Sequence, residues 1–254
     1  MLSKNKQKHI TALGRKKIRD QEKLFVAEGQ KLVLDLLQSD LNCQYLIVDE
    51  KWISTQSSLN TDVEIIKTSS DSIKKVSGFK STPSIIGVFE QNSHRLEMNT
   101  LKNQLCLFLD DIQDPGNLGT IIRLADWFGI KSVICSKACA DVYNPKTIQS
   151  TMGAIARIQT HYVETLPFFE EYKSLNCPVY GTFLDGKNLY QEELNNNGLI
   201  IMGNEGKGIQ DKLEPYVSSR LFIPNYPPEV ATSESLNVSV ATAIICAEFR
   251  RRLG

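Results

Sequence analysis

Charge of either sign is not in excess: 29 Lys and Arg face 29 Asp and Glu, so the formally neutral chain singles out no class of partner by its total charge. Histidine is scarce. The three present, His9, His94 and His161, form no local triad and no metal-ligand spacing, and G-x-S-x-G does not occur. The six cysteines, Cys43, Cys106, Cys135, Cys139, Cys177 and Cys246, are scattered and mostly sit in apolar runs. Even the nearest pair, Cys135 and Cys139, lacks C-x-x-C spacing, which excludes a zinc framework and suits reduced core thiols. No apolar run reaches membrane length; that at residues 238–247 is too short and contains Ser and Thr. The opening MLSKNKQK leads into no apolar run, so no secretory signal and a cytoplasmic location are expected. Internal repeats and low-complexity tracts are also missing. What remains is a chain of 254 residues, enough for one large domain or two ordinary ones.

Charge is unevenly placed. Lys4, Lys6, Lys8, Arg15, Lys16, Lys17, Arg19, Lys23 and Lys31 stand against Asp20, Glu22 and Glu28, nine minus three, or plus six in the first 31 residues. Such an excess fits phosphate contact as well as it fits a solvated helix face. Residues 25–38 shift to an apolar helical pattern, with Leu32, Val33, Leu36 and Leu37 at helix spacing. Strands are expected at residues 45–48, 63–66 and 85–89, giving a small α/β domain over residues 1–90. The polar, aperiodic residues 91–104 read as a linker.

The second half, residues 105–254, is organised around LCLFLDDIQDPGNLGTIIRLADWFGI, residues 105–130. Leu105 to Leu109 suit a buried strand; Pro115 and Gly116 punctuate a polar turn; Leu118, Ile121, Ile122, Ala125 and Phe128 then recur at helix spacing, closed by Gly129. At about 100° per residue, Arg123 falls away from that stripe, on the side of Thr120 and Trp127. Strands are expected also at residues 132–135, 179–183, 199–202 and 221–224, with helices at residues 144–156 and from Ser235, a candidate N-cap, to Arg250, Arg251 and Arg252. Strands alternating with helices imply a mostly parallel sheet covered on both faces. The strand at 199–202 runs into Gly203-Asn204-Glu205-Gly206-Lys207-Gly208, a turn that lets backbone amides approach a ligand. It is not G-x-G-x-x-G and has no ribose-binding acid about 20 positions on, which disfavours a dinucleotide fold.

DPGNLGTIIRLADWFG, GNEGKGI and SLNVSVATA, in this order, resemble the three signature motifs of the SpoU (TrmH-like) branch of the SPOUT RNA 2′-O-ribose methyltransferases. The wording RKKIRDQEKLFVAEGQKLVLDLL and STPSIIGVFE is similar to the L30e-like substrate-binding domain fused to many of those enzymes. The resemblance implies an α/β trefoil-knot (SPOUT) domain with a mostly parallel sheet over residues 105–254, preceded by an L30e-like α/β domain. It implies S-adenosyl-L-methionine (SAM) as cofactor, no metal, RNA as partner (ribosomal favoured over transfer RNA), no membrane, and a homodimer in which the Asn of the first motif often reaches the partner's site.

By the same resemblance, Arg123 lies beside the target 2′-OH. Asn117 and Ser235 are candidates to orient ribose and phosphate, while Glu205 and Asn237 fix the pocket. Gly203, Asn204, Gly206, Ile223 and Leu236 are the candidate cofactor contacts. Arg123 is an awkward general base because guanidinium keeps its proton, so phosphate binding and stabilisation of developing alkoxide charge suit it better. One departure stands out. Where the family has a Met and a short Gly-containing loop after Ile-Pro, this chain has a longer, Pro-rich segment at residues 225–234. Transfer-RNA methylation, or RNA binding without turnover, are the alternatives this leaves open.

Overall fold

The computed structural model describes residues 2–55, 59, 61–227, 230, 233 and 235–252. They gather into two compact units, Met1–Ser93 with Asp141–Ala156, and His94–Ala140 with Arg157–Gly254.

In the first unit, α1 (Lys4–Leu13) begins at Ser3, whose hydroxyl accepts from the Lys6 amide, and α2 (Lys16–Glu22) follows a short break. Then come β1 (Leu24–Glu28), α3 (Gln30–Leu37), β2 (Cys43–Asp49), α4 (Glu50–Ser54), β3 (Glu64–Thr68), α5 (Ser70–Lys74) and β4 (Ile85–Glu90). The sheet order is β1-β4-β2-β3; β4 runs antiparallel to both neighbours and β2 parallel to β3. The helical pattern expected over residues 25–38 is corrected: Leu24–Glu28 is a strand paired with β4, and only Gln30–Leu37 is helical. Gly29, at φ 97°, makes the break between them. Its helix buries Leu32, Val33 and Leu36, as their spacing predicts.

The second unit opens with a 3-10 turn (Met98–Asn103), inside the segment read as a linker, whose Leu101 is buried in the core of this unit. β5 (Leu105–Leu109), α6 (Pro115–Trp127) and β6 (Ser132–Ser136) follow. The chain then enters the first unit for α7 (Pro145–Thr151), shorter than the expected 144–156, because Met152 and Gly153 take left-handed backbone angles. β7 (Gln159–Val163), α8 (Thr165–Tyr172), β8 (Val179–Asn188), β9 (Gly198–Met202), β10 (Ser219–Phe222) and α9 (Val238–Arg251) complete it. β10 lies two residues earlier than expected, leaving Ile223 and Pro224 beyond its end. The sheet order is β10-β8-β9-β5-β6-β7 and every pairing is parallel. β5, β6 and β9 are buried throughout, as central strands of a sheet covered on both faces must be. Phe108 packs on Phe168 and Phe169 of α8 beneath this sheet.

α6 and α9 lie side by side and parallel. Asn117 meets Asn237 and Ser239 at their starts, and Arg250 donates from Nε to Phe128 O (2.6 Å) and from Nη2 to Gly129 O (3.3 Å) at their ends. That guanidinium satisfies carbonyls left open at the α6 C-terminus and faces the negative end of its dipole. No helix among the described residues is long and apolar enough to cross a membrane.

Candidate active site

Parallel pairing of β5 with β9, Leu109 opposite Met202, puts the C-terminal ends of both strands on one edge of the sheet. Ligands of open α/β sheets bind at that edge. The turn after β5 is therefore beside the Gly-rich loop after β9, and both are tightly built. Asp114 caps α6 by accepting from the Asn117 amide at 2.9 Å, with Pro115 in the first turn. Asp111 takes a left-handed φ of 57°, held by Ser136, whose Oγ accepts from the Asp111 amide (3.0 Å) and donates to its carboxylate (2.5 Å). Across the loop, Asn204 and Gly208 exchange two backbone hydrogen bonds of 2.9 Å. Asn204 Oδ1 accepts from the Gly206 and Lys207 amides, and its Nδ2 donates to Asp111 O at 2.8 Å. A side chain at Gly203 would lie 2.4 Å from the Gly208 carbonyl carbon, so only glycine lets the loop fold back this closely.

Three segments far apart in sequence then converge. Asn117 Nδ2 donates to Glu205 Oε1 at 2.7 Å, and Asn117 Oδ1 accepts from Asn237 Nδ2 at 3.1 Å and from Ser239 Oγ at 3.3 Å. The amide orientation of Asn117 is thus set on both sides. Asn237, not Ser235, caps α9: its Oδ1 accepts from the Ser239 and Val240 amides, which corrects the expected start of that helix. Both residue types cap well, but α9 begins at Val238, so only position 237 reaches its free amides.

Of the remaining expected residues, Arg123 is exposed on α6, on the side of exposed Trp127, and makes no hydrogen bond or ion pair among the described residues. The apolar stripe opposite, Leu118, Ile121, Ile122 and Ala125, is fully buried. Ser235 is exposed and outside the cluster; Ile223 is half-buried, and Leu236 exposes an apolar side chain. In the 225–234 segment, Pro228, Glu229, Ala231, Thr232 and Glu234 lie outside the described residues. Sequence reasoning did not single out Ser239 or Asp110. Ser239 stands inside the quoted SLNVSVATA, and its place in that motif was the available signal. Asp110 had none, since its partner Gln210 is remote in sequence. Among the described residues no group of three or more His, Cys, Asp or Glu could hold a metal ion.

The site can hold SAM. Its loop is held in one shape by the hydrogen bonds of Asn204, and among the described residues Gly206 has open space around it for the close approach of a ligand.

Residues 104–247 match the SpoU rRNA Methylase family, and residues 4–87 match the MRM3-like substrate binding domain. The chain belongs to the SpoU methylase family. A Bacillus subtilis relative, the 23S rRNA (guanosine(2553)-2′-O)-methyltransferase RlmP, is 33% identical over 96% of both chains. Among solved structures, a TrmH-family chain from Porphyromonas gingivalis superposes with a TM-score of 0.87 at 36% identity, over 99% of each chain. The AdoMet-bound rRNA methyltransferase of Sinorhizobium meliloti superposes with a TM-score of 0.85 at 27% identity, over 100% of this chain and 98% of that one. The second unit accordingly has the α/β trefoil-knot (SPOUT) fold, and an N-terminal α/β domain precedes it. A knot breaks ordinary connection rules, so only the resemblance led to it.

Proposed function

We propose that this chain is a SAM-dependent methyltransferase that modifies a ribose 2′-OH of ribosomal RNA, working in the cytoplasm as a homodimer. The observation that carries this reading is the hydrogen-bonded cluster of Asn117, Glu205, Asn237 and Ser239, which joins all three signature segments at the ligand-binding edge. Residues 1–90 grip the RNA, 91–104 connect, and 105–254 carry out the transfer.

When bound, SAM supplies an activated methyl group. Gly203, Asn204, Gly206, Ile223 and Leu236 hold it. Asn117 and Ser235 orient ribose and phosphate, and Glu205 with Asn237 keep the Asn117 amide in place. Arg123 binds the phosphate next to the target ribose with its planar fork of donors and stabilises charge developing on the 2′ oxygen. The hydroxyl proton passes to that phosphate or to a water, since the guanidinium keeps its own protons. Ribose-methylation mapping of ribosomal RNA from cells with and without the protein tests the substrate: one 2′-O-methyl is expected to disappear. Loss of a transfer-RNA methyl instead would overturn the ribosomal assignment.

Gly206→Ala separates cofactor contact from folding. Among the described residues other than its two chain neighbours, a methyl group there meets nothing closer than Asn204 Oδ1, at 3.7 Å. The fold should tolerate it, while SAM affinity falls about tenfold or more as the backbone is pushed off its ligand. Calorimetric titration showing unchanged affinity would remove this loop from the cofactor site.

The dimer reading is supported by large apolar groups left uncovered on the paired helices, Trp127 of α6 at 82% exposure and Val240 of α9 at 49%. Such groups are typical anchors of protein interfaces. Trp127→Glu is expected to shift the protein to monomer in analytical ultracentrifugation; a variant that sediments as an unchanged dimer would place the interface elsewhere.

A further inference from the structure

Asp110, the first residue after β5, is a fully buried carboxylate (0% exposed) that the mechanism above does not use. Burial pushes its pKa up, against the opposing effect of the Gln210 hydrogen bonds. It is kept in place by two donors from one residue: Gln210 donates its backbone amide at 2.8 Å and its Nε2 at 2.5 Å. Its own amide donates to Met202 O at 2.9 Å, at the end of β9. Asp111, the next residue, accepts from Asn204 through its carbonyl. Two consecutive residues therefore hold the Gly-rich loop at Asn204, near its start, and at Gln210, two residues beyond its end. Hydrogen bonds to a charged acceptor are roughly twice as strong as neutral ones, and stronger still away from water. A buried carboxylate is costly without partners, so a neutral residue would be the simpler choice if packing alone were served.

We infer that Asp110 is a positioning residue which, through Gln210, holds the 203–208 loop in the shape that binds SAM before SAM arrives. This rests on the reading of that loop as the cofactor loop. A preformed loop has less freedom to lose on binding, so slackening it weakens affinity without removing any ligand contact.

The test compares wild type, Asp110→Asn, Gln210→Ala, Gly206→Ala and the exchanged pair Asp110→Asn with Gln210→Glu. Titration with S-adenosylhomocysteine, binding to a 23S rRNA transcript and thermal unfolding are measured on the full chain. Asp110→Asn is expected to weaken S-adenosylhomocysteine binding by about tenfold or more, and Gln210→Ala by about three- to tenfold, with RNA affinity within about twofold of wild type. In the exchanged pair the new amide at 110 donates to the new carboxylate at 210 while still accepting from the backbone amide, so affinity returns to within about threefold. Should Asp110→Asn fold poorly, Gln210→Ala decides. If Gly206→Ala loses the ligand but neither Asp110→Asn nor Gln210→Ala weakens it, the positioning role is wrong and the loop reading stands. If Gly206→Ala also binds as wild type, the loop reading itself has failed. Parallel loss of RNA affinity and melting temperature would reduce Asp110 to a structural residue and overturn the proposal.

Discussion

Arg123→Ala is expected to slow methyl transfer by about 10²- to 10³-fold, the usual loss when a donor that stabilises developing charge is removed. SAM affinity should stay within about twofold, because Arg123 is not among the residues proposed to touch the cofactor. The variant should fold. Arg123 is exposed and unpaired among the described residues, and the α6 stripe that anchors the helix lies on the opposite side. Alanine is the best helix former, so the stability change should remain within about 0.5 kcal/mol. Arg123→Lys keeps the charge but loses the two-pronged geometry, and an intermediate rate is expected. Single-turnover transfer from labelled SAM to ribosomal RNA, alongside calorimetric binding, reads both effects. A fully active Arg123→Ala enzyme would end this mechanism.

Local signals made part of this site legible. Leu118, Ile121, Ile122 and Ala125 of the α6 stripe and the Gly129 stop are short-range features and appear where their spacing predicts. Phe128, by contrast, is half-buried just past the helix, and the helix starts at Pro115, inside the segment read as a polar turn, because Asp114 caps it there. Residues 25–38 failed because a five-residue buried strand and the helix after it share one apolar composition, and period cannot separate runs that short. β7 and α8 went unread because Gln159–Val163 is polar and only partly buried, with Thr165–Tyr172 close behind. Ser235 and Asn237 are two competent caps two positions apart, and the choice between them depends on where the chain leaves the loop. The site's assembly was beyond any local pattern. Asp110 and Gln210 are 100 residues apart, and Asn117 and Asn237 are 120 apart; only the closing of a parallel sheet brings them together.

Arg19→Ala should destabilise the first unit by about 3–5 kcal/mol, the cost of breaking a buried ion pair from one side. The basic excess of the N-terminal segment fits phosphate contact as well as a solvated helix face, yet Arg19 serves neither. Arg19 is 2% exposed, donates from Nη1 to Leu13 O and Gly14 O at 2.8 Å each, and pairs with Asp141 at 2.5 Å. It thereby ties the C-terminal end of α1 to the segment that brings α7 into this unit. Truncation leaves the Leu13 and Gly14 carbonyls without their side-chain donor and the half-buried Asp141 carboxylate, which keeps the Tyr143 amide, without its counter-charge. Replacing both charges, Arg19→Met with Asp141→Leu, should cost less than the sum of the two single changes, because no unpaired charge remains. Trp52 lies in this unit and Trp127 in the other, so urea unfolding followed by Trp52 fluorescence in a Trp127→Phe background isolates the effect. Lys4, Lys8, Arg15 and Lys17 are exposed, and their replacement should instead weaken RNA binding and flatten its salt dependence with little change in stability. An Arg19→Ala protein that unfolds like wild type but loses RNA affinity would return Arg19 to the phosphate-binding set.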